Sequence, residues 1–286
     1  MRPRAPAVTT RAAVIAAPGC VELVDEPLRE PAEDEVLVRI EGCGVCASSL
    51  PLWEGRAWFS YPLPTGAPGH EPWGVVEGGD PELVGRRVAF LSERGFAECA
   101  VVPREHVVPL PAGLGKPFPG EALASAVNVV RRARVQPGES VAIVGAGFIG
   151  SAAAQLLHAK LVRREDEPNE EFDVVVEAAG TQEALDKASR LVATRGRLVI
   201  AGYHQDGLRT VDLQSWNWRG LDVVNAHERD ALVLVDALRE AAQLVAAGEL
   251  DVDALVTHRF PLERLADAFE AALERPAGFV KAWVAP

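Results

Sequence analysis

Two regimes of hydrophobic patterning divide the chain. Between residues 11 and 110 the apolar residues come in short runs broken by Gly and Pro: AAVIAAPG, EVLVRIEGCGV, WGVVEGG, GRRVAFL, AECAVVP and HVVPLP. Runs of this length between turn formers predict short strands, and their crowding predicts a small, irregular β-barrel. At residue 119 the pattern lengthens. PGEALASAVNVVRRARV has helical spacing with Pro and Gly at its head, and the turn QPGES follows it. Strands are then predicted at 141–144, 173–178, 197–201 and 221–225, with helices at 149–159, 181–192 and 230–248, the last ending at Gly248. Strands alternating with helices predict an α/β region with a parallel sheet covered on both faces. The tail VTHRFPLERLADAFEAALERPAGFVKAWV reads as strand, Pro-started helix and strand. No repeat or low-complexity tract interrupts the pattern.

Composition narrows the function classes. With 48% hydrophobic and 24% charged residues over 286 positions, the chain has ample core for one large or two ordinary domains. A net charge of −12, with arginines dispersed among carboxylates, argues against a nucleic-acid partner. No apolar run approaches the roughly 20 residues that span a bilayer, so no membrane partner is expected. At the start, MRPRAPAVTTRAAVIAAPGC sets arginines before an apolar patch. AAVIAA is shorter than a secretory signal core and runs on into VELVDEPL around the turn Pro18-Gly19. This predicts a disordered leader over residues 1–10, then the first strand, in a cytoplasmic protein. The four cysteines are too few for a disulfide framework in a chain of this size, so any special role for them is chemical.

Two motifs carry chemistry. GCGVCASSL and GAPGHEPWGVVEGG offer Cys46, His70 and Glu71, a soft, a borderline and a hard donor, all acceptable to Zn²⁺. They flank strands at turns, where separate segments can converge; an ordinary turn and a buried small thiol would read the same way. Cys43 and Cys46 form a C-x-x-C, but a zinc knuckle needs a second pair that Cys20 and Cys99 do not provide, and a redox dithiol lacks its usual βαβ surroundings. The second motif, ESVAIVGAGFIGSAAAQLL, sets Gly145, Gly147 and Gly150 in G-x-G-x-x-G spacing between an apolar strand and an Ala-rich helix. The glycines permit a tight turn and close approach to a phosphate, and the helix N-terminus supplies free N–H groups.

Taken in order, EVLVRIEGCGVCASSL, PGHEPWGVVE, PGESVAIVGAGFIGSAAAQLL, FDVVVEAAG, GRLVIAGYH and VTHRFPLERLADAFEAA resemble the medium-chain dehydrogenases/reductases, in particular the zinc-dependent alcohol and polyol dehydrogenases, from Arg11 to the end. The resemblance implies a GroES-like β-barrel catalytic domain over 11–120, a Rossmann-type cofactor domain over 121–256, and a return to the first domain over 257–286. It implies zinc held by Cys46, His70 and Glu71. A further ligand in this family is a Cys or Glu at the start of the interdomain helix; Ser125 stands in the Cys place, so the Glu option falls to Glu121, which read alone is a carboxylate favoured by the helix dipole. The metal eases deprotonation of an alcohol whose hydride passes to a nicotinamide ring. Ser48 matches the hydroxyl that passes that proton outward, or is a simple helix cap, and Pro51 replaces the His that often follows. Cofactor contacts are implied at Gly145, Gly147, Phe148, Ile149 and Gly150, and at Gly180 and Gly202 beyond the later strands. One of Trp53, Trp58 and Phe59 is expected in the substrate cleft, while His204, His227 and Glu228 are second-tier candidates at strand ends. The structural-zinc lobe is absent, leaving Cys99 a core residue, and a homodimer through the strand near LDVVNA is implied.

The Rossmann portion is shortened. A second strand ending in an acid is expected roughly 20 residues beyond the glycines, followed by further strand and helix. Only KLVRREDEPNEE stands between the first helix and FDVVVEAAG. Passing directly to the fourth strand would force a rare left-handed crossover. Lys160 to Arg163 are therefore expected to form a stub strand beside the first, with EDEPNEE returning beneath the sheet. Losing the ribose contact would weaken NAD binding by about 1.5–3 kcal/mol, or roughly 10- to 150-fold. Glu165 or Asp166 stands at a plausible distance for the ribose; Arg163 and Arg164 suit a 2′-phosphate or are merely solvated, so NAD and NADP stay open. Two readings result. One is a zinc-dependent oxidoreductase moving hydride between an alcohol or polyol, or the matching carbonyl, and a weakly held NAD(P). The other is a catalytically impaired pseudoenzyme of the same fold that binds or assembles.

Overall fold

The computed structural model describes residues 9–115 and 117–286. The expected leader lies outside the described residues except for Thr9 and Thr10, which already belong to the first strand. The chain divides into two compact units: residues up to Glu121 with Val256–Pro286, and Ala122–Leu255.

In the first unit, β1 (Thr9–Ala17) and β2 (Cys20–Pro27) form an antiparallel pair turned at Pro18-Gly19, as the polar–apolar alternation requires. The main sheet comprises β3 (Glu35–Gly44), β4 (Glu71–Gly78), β5 (Arg87–Phe90), β6 (Cys99–Pro103) and β7 (Val107–Pro109) with β13 (His258–Pro261) and β14 (Ala282–Ala285) from the chain's end. Its order is β13-β14-β3-β4-β5-β7, with β6 also pairing β3. After β3 come a one-turn helix over Ala47–Ser49 and then α1 (Leu50–Trp53), with Pro51 in its first turn; α7 (Leu265–Glu274) links β13 to β14. The Trp53 ring stacks on Phe269 at 4.9 Å and its indole N–H donates to Glu270 at 2.7 Å. Trp53 is therefore part of the core, whereas Trp58 is largely exposed and Phe59 half-buried.

The second unit opens with α2 (Gly120–Ala133), which begins in the first unit, and continues through β8 (Val141–Val144), α3 (Phe148–Leu157), β9 (Lys160–Val162), β10 (Phe172–Glu177), α4 (Gln182–Leu191), β11 (Val192–Ile200), α5 (Leu213–Arg219), β12 (Asp222–Asn225) and α6 (Ala231–Ala247). All five strands are parallel in the order β12-β11-β10-β8-β9. Every residue of β8 is buried, as an interior strand of a sheet covered on both faces should be. The stub strand expected at Lys160 is β9, on the opposite side of β8 from β10. The chain thus reverses its lateral progress at β8, and the carboxyl end of that strand is a topological switch point, where open α/β sheets bind ligands. Helix α5 was not foreseen; the Asp212 side chain accepts from Ser215 N–H at its head and Gly220 adopts positive φ at its foot, a cap pair readable in DLQSWNWRG.

The short return from β9 to β10 is held by a buried cation. Lys187 of α4 donates to the carbonyls of Arg164 and Asp166, both at 2.7 Å, and pairs with Glu167 at 3.1 Å. Lys187→Met is expected to cost about 1–3 kcal/mol, because the carbonyls lose a charged donor. Denaturant unfolding reads the loss; an unchanged midpoint would show that the anchor is dispensable.

Candidate functional site

Strand register assembles the metal-ligand set. Gly44 at the end of β3 pairs with Glu71 at the start of β4, and Trp283 of β14 pairs with Gly44 from the other side. Cys46 leaves this end of β3, His70 enters β4 there, and Lys281 arrives just before β14. The donor atoms of Cys46, His70 and Glu71 lie within 4.8 Å of one another, the only such group of three or more among the described residues. Gly44 is required beside them, since a Cβ there would sit 1.9 Å from Glu71 Oε2.

Each donor is oriented by a neighbour. His70 Nδ1 lies 2.9 Å from the Pro68 carbonyl, which can only accept, so Nδ1 carries the proton and Nε2 is left for a metal. The Ser48 hydroxyl donates to the Cys46 sulfur at 3.2 Å, inside the one-turn helix 47–49. Glu71, wholly buried, accepts from Lys281 Nζ through both oxygens at 2.7 and 2.8 Å. Glu71 is thus within reach of a metal yet already held by a buried cation. Glu121, in the first turn of α2, stands outside the group of three, but its charge acts on both His70 and Lys281. Ser125 lies a turn further along α2, half-buried.

Charge dominates this centre. Burial opposes a cation at His70, but the Cys46 sulfur, by charge and hydrogen bond, and the Glu121 and Glu71 carboxylates raise its pKa to about 10. Burial also opposes the Lys281 charge, and the same three residues outweigh it and raise the pKa, Glu71 most strongly. A soft, a borderline and a hard donor converging in a partly buried centre suit zinc. Because a metal must displace the proton held between Cys46 and His70, zinc affinity is expected to rise about tenfold per pH unit up to about pH 10. Chelator-buffered titrations check this; a plateau from about pH 6.5, the ordinary imidazole value, would contradict it. Cys43 plays no part as a dithiol partner: it is a free core thiol whose pKa burial pushes well up, with Glu71 adding to the effect. Cys99 is half-buried, and burial likewise raises its pKa.

At the switch point, Gly145 has φ +117° and a Cβ on Gly150 would meet the Gly145 carbonyl at 1.9 Å, so the turn can close only with glycine at both positions. Gly147 is the N-cap of α3, makes no side-chain cap, and has open space where its Cβ would project. The first turn of α3 thus begins beside uncrowded space at Gly147, and a helix N-terminus approached so closely by backbone is where a pyrophosphate is received. Gly180 and Gly202 pack against each other beyond β10 and β11, and a Cβ on Gly202 would lie 2.2 Å from Gly180 N. The buried Glu177 carboxylate fixes this pair by accepting from the N–H groups of Ala179 and Gly180, both at 2.7 Å. Arg209 Nε donates to His204 Nδ1, so His204 Nε2 carries the proton donated to Glu177, both at 2.9 Å. His204 is therefore a brace for the strand ends. His227 stacks on Tyr203, and Glu228 accepts from the N–H groups of Arg229 and Asp230 ahead of α6.

Residues 32–112 match the alcohol dehydrogenase GroES-like domain and residues 152–276 the zinc-binding dehydrogenase domain. The chain belongs to the medium-chain dehydrogenase/reductase family. Among curated relatives of this family, it is 28% identical to the L-threonine 3-dehydrogenase of Saccharopolyspora erythraea, over 90% of this chain and 93% of that protein. It is 25% identical to the L-galactonate-5-dehydrogenase of Escherichia coli K12, over 84% and 88%. The threonine dehydrogenase match spans 333 positions but takes in only 90% of the 286 residues here, about 257, so about 76 positions are gaps in this chain. A thermostable alcohol dehydrogenase from Pyrobaculum aerophilum, solved with cobalt and zinc, shares the fold with a TM-score of 0.83 at 24% identity, covering 98% of this chain and 100% of that one. The fold and the Cys/His/Glu centre are those of a zinc-binding, NAD(P)-dependent type of oxidoreductase within this family. No helix among the described residues is long and apolar enough to cross a membrane.

Proposed function

We propose that this protein passes hydride between the hydroxyl carbon of a small alcohol or polyol, or the matching carbonyl, and NAD(P), with zinc at the Cys46–His70 centre. The observation that carries the reading is the convergence of three unlike zinc donors at one end of the β3–β4 ladder. The names of the relatives, which act on hydroxylated acids and polyols, favour the same substrate class. When bound, zinc supplies Lewis acidity toward a substrate oxygen and the nicotinamide ring supplies a hydride acceptor. The Cys46 sulfur and His70 Nε2 would hold the metal, with Pro68 fixing the imidazole and Glu121 and Glu71 supplying carboxylates beside it. Ser48 Oγ, tied to the Cys46 sulfur, takes the hydroxyl proton outward. With Pro51 where a base would stand, the proton continues from Ser48 to water. The Gly145–Gly150 turn and the N-terminus of α3 would receive the pyrophosphate, and the close packing of Gly180 and Gly202 would leave room for the dinucleotide at the strand ends.

We place the protein in solution as a homodimer joined along β12. That strand is a sheet edge, and Leu213, Trp218 and Val223 leave apolar surface exposed on or beside it. Sedimentation at twice the 30.6 kDa chain mass is the expected result. The function is tested by offering the zinc-loaded protein a panel of secondary alcohols and polyols with NAD⁺ or NADP⁺ and following reduced nicotinamide. Turnover that a chelator abolishes and zinc restores supports the reading. No turnover in either direction, with metal and cofactor both bound, would leave an impaired relative that retains only binding.

A further inference from the structure

The shortened sheet changes which dinucleotide fits. In a dinucleotide-binding sheet the residue at the carboxyl end of the strand beside the glycine turn selects the cofactor: an acid accepts from the 2′-hydroxyl of NAD, and an arginine receives the 2′-phosphate of NADP. Here that strand is β9. Its last registered pair is Val144↔Val162, and the Gly145 N–H donates to the Val162 carbonyl at 3.0 Å. The next residue, Arg163, therefore stands level with the first glycine of the turn, followed by Arg164.

The nearby acids are already engaged. Asp166 turns back to accept from the Arg163 backbone N–H at 2.8 Å. Glu167 pairs with Lys187, and Glu170 with Lys160. Glu183 pairs with Arg164 at 3.0 Å in an exposed contact that a phosphate can replace. Only Glu165, in the turn itself, and Glu171 keep carboxylates for which no partner is described. The Arg163 side chain is exposed. Buried Lys187 fixes the carbonyls of Arg164 and Asp166, so the arginine pair follows a pinned backbone rather than a loose loop.

Resting on the reading of this chain as a nicotinamide enzyme, we infer that Arg163, assisted by Arg164, makes it selective for NADP(H) through the 2′-phosphate. NADH finds arginine rather than an acid at the carboxyl end of β9, where its ribose diol would be held, and has no use for two guanidinium groups; Glu165, two residues further into the turn, is the one nearby carboxylate it could still meet. NADPH gains a charge-assisted contact, and a preference of at least about tenfold in Kd is expected.

The test titrates the zinc-loaded full chain with NADPH, NADH, 2′,5′-ADP and 5′-ADP by calorimetry. Expected are NADPH tighter than NADH and 2′,5′-ADP tighter than 5′-ADP, each by at least about tenfold, with the preference shrinking at high salt. Arg163→Ala with Arg164→Ala should bring NADPH to within about threefold of NADH while changing NADH little, and Arg163→Asp should favour NADH. NADH binding as well as NADPH, or an NADPH affinity indifferent to both arginines, overturns the inference and leaves the nicotinamide reading intact. No binding of any of the four at millimolar concentration removes that reading and the inference with it.

Discussion

Cys46→Ala is expected to leave the protein folded, strip it of zinc, and lower kcat/KM by at least about 1,000-fold. The size follows from what the metal contributes, several kcal/mol of charge stabilisation at roughly tenfold in rate per 1.4 kcal/mol. The fold should survive because Cys46 is half-buried, lies beyond the end of β3, and is tied by its sulfur to Ser48 rather than to the core. Loss of the thiol should cost about 1–3 kcal/mol, because the mostly buried His70 loses the sulfur that supports its charge. Cys43→Ala is the built-in contrast. That thiol is fully buried in the cluster containing Trp53 and Phe269, so its removal should cost about 1–2 kcal/mol while zinc and rate are largely kept. Metal analysis and unfolding curves on the two variants separate these roles. Full zinc and full rate in Cys46→Ala would remove Cys46 from the centre.

Lys281→Met should be the most destabilising single change near the site, by about 3–5 kcal/mol in the metal-free protein. Lys281 and Glu71 are both buried, and Lys281 meets both carboxylate oxygens. Removing the cation strands a buried carboxylate beside the Cys46 sulfur. Two comparisons keep the cause identifiable. Adding Glu71→Gln to Lys281→Met should recover most of the loss, since the uncompensated charge goes. Loading zinc should shrink the penalty if the freed carboxylate turns toward the metal. Equal penalties in the single and double variants would show that the ammonium matters for packing rather than for its charge.

What the sequence revealed and what it hid divide along a physical line. Periodicity placed nearly every strand and helix, because each buries a continuous stripe or run. Chain reach and crossover handedness together sufficed to place β9 at Lys160, where the pattern alone is three residues long. The centre was legible as a donor set, Cys46, His70 and Glu71, because unlike zinc donors near strand ends are few. Lys281 was missed, although a lone Lys inside the apolar FVKAWV signals a buried charge that needs a partner. Lys187 gave a parallel signal, sitting on the same buried stripe as Ala184, Ala188 and Leu191. Glu177 and Arg209 could not be paired from sequence, since their contacts through His204 depend on how the ends of β10 and β11 fold over each other. Of the aromatic trio, Trp53 went to the core because α7, over 200 residues further along, returns to stack Phe269 on it.

On the proposed function, the shortened sheet still seats a dinucleotide on the Gly145–Gly150 turn. Gly147→Asp tests it most directly. The position has ordinary extended backbone and open space for a Cβ, and Asp is a better N-cap for α3 than Gly by a few tenths of a kcal/mol, so folding should be kept or slightly improved. The new carboxylate would occupy the phosphate cradle and repel its charge. NADPH titrated into the zinc-loaded wild type and variant should bind the wild type with a Kd in the micromolar to submillimolar range. The variant should bind at least about 100-fold more weakly, which corresponds to about 2.7 kcal/mol. Equal affinity in the two proteins would contradict the account and place the dinucleotide, if it binds at all, away from this turn.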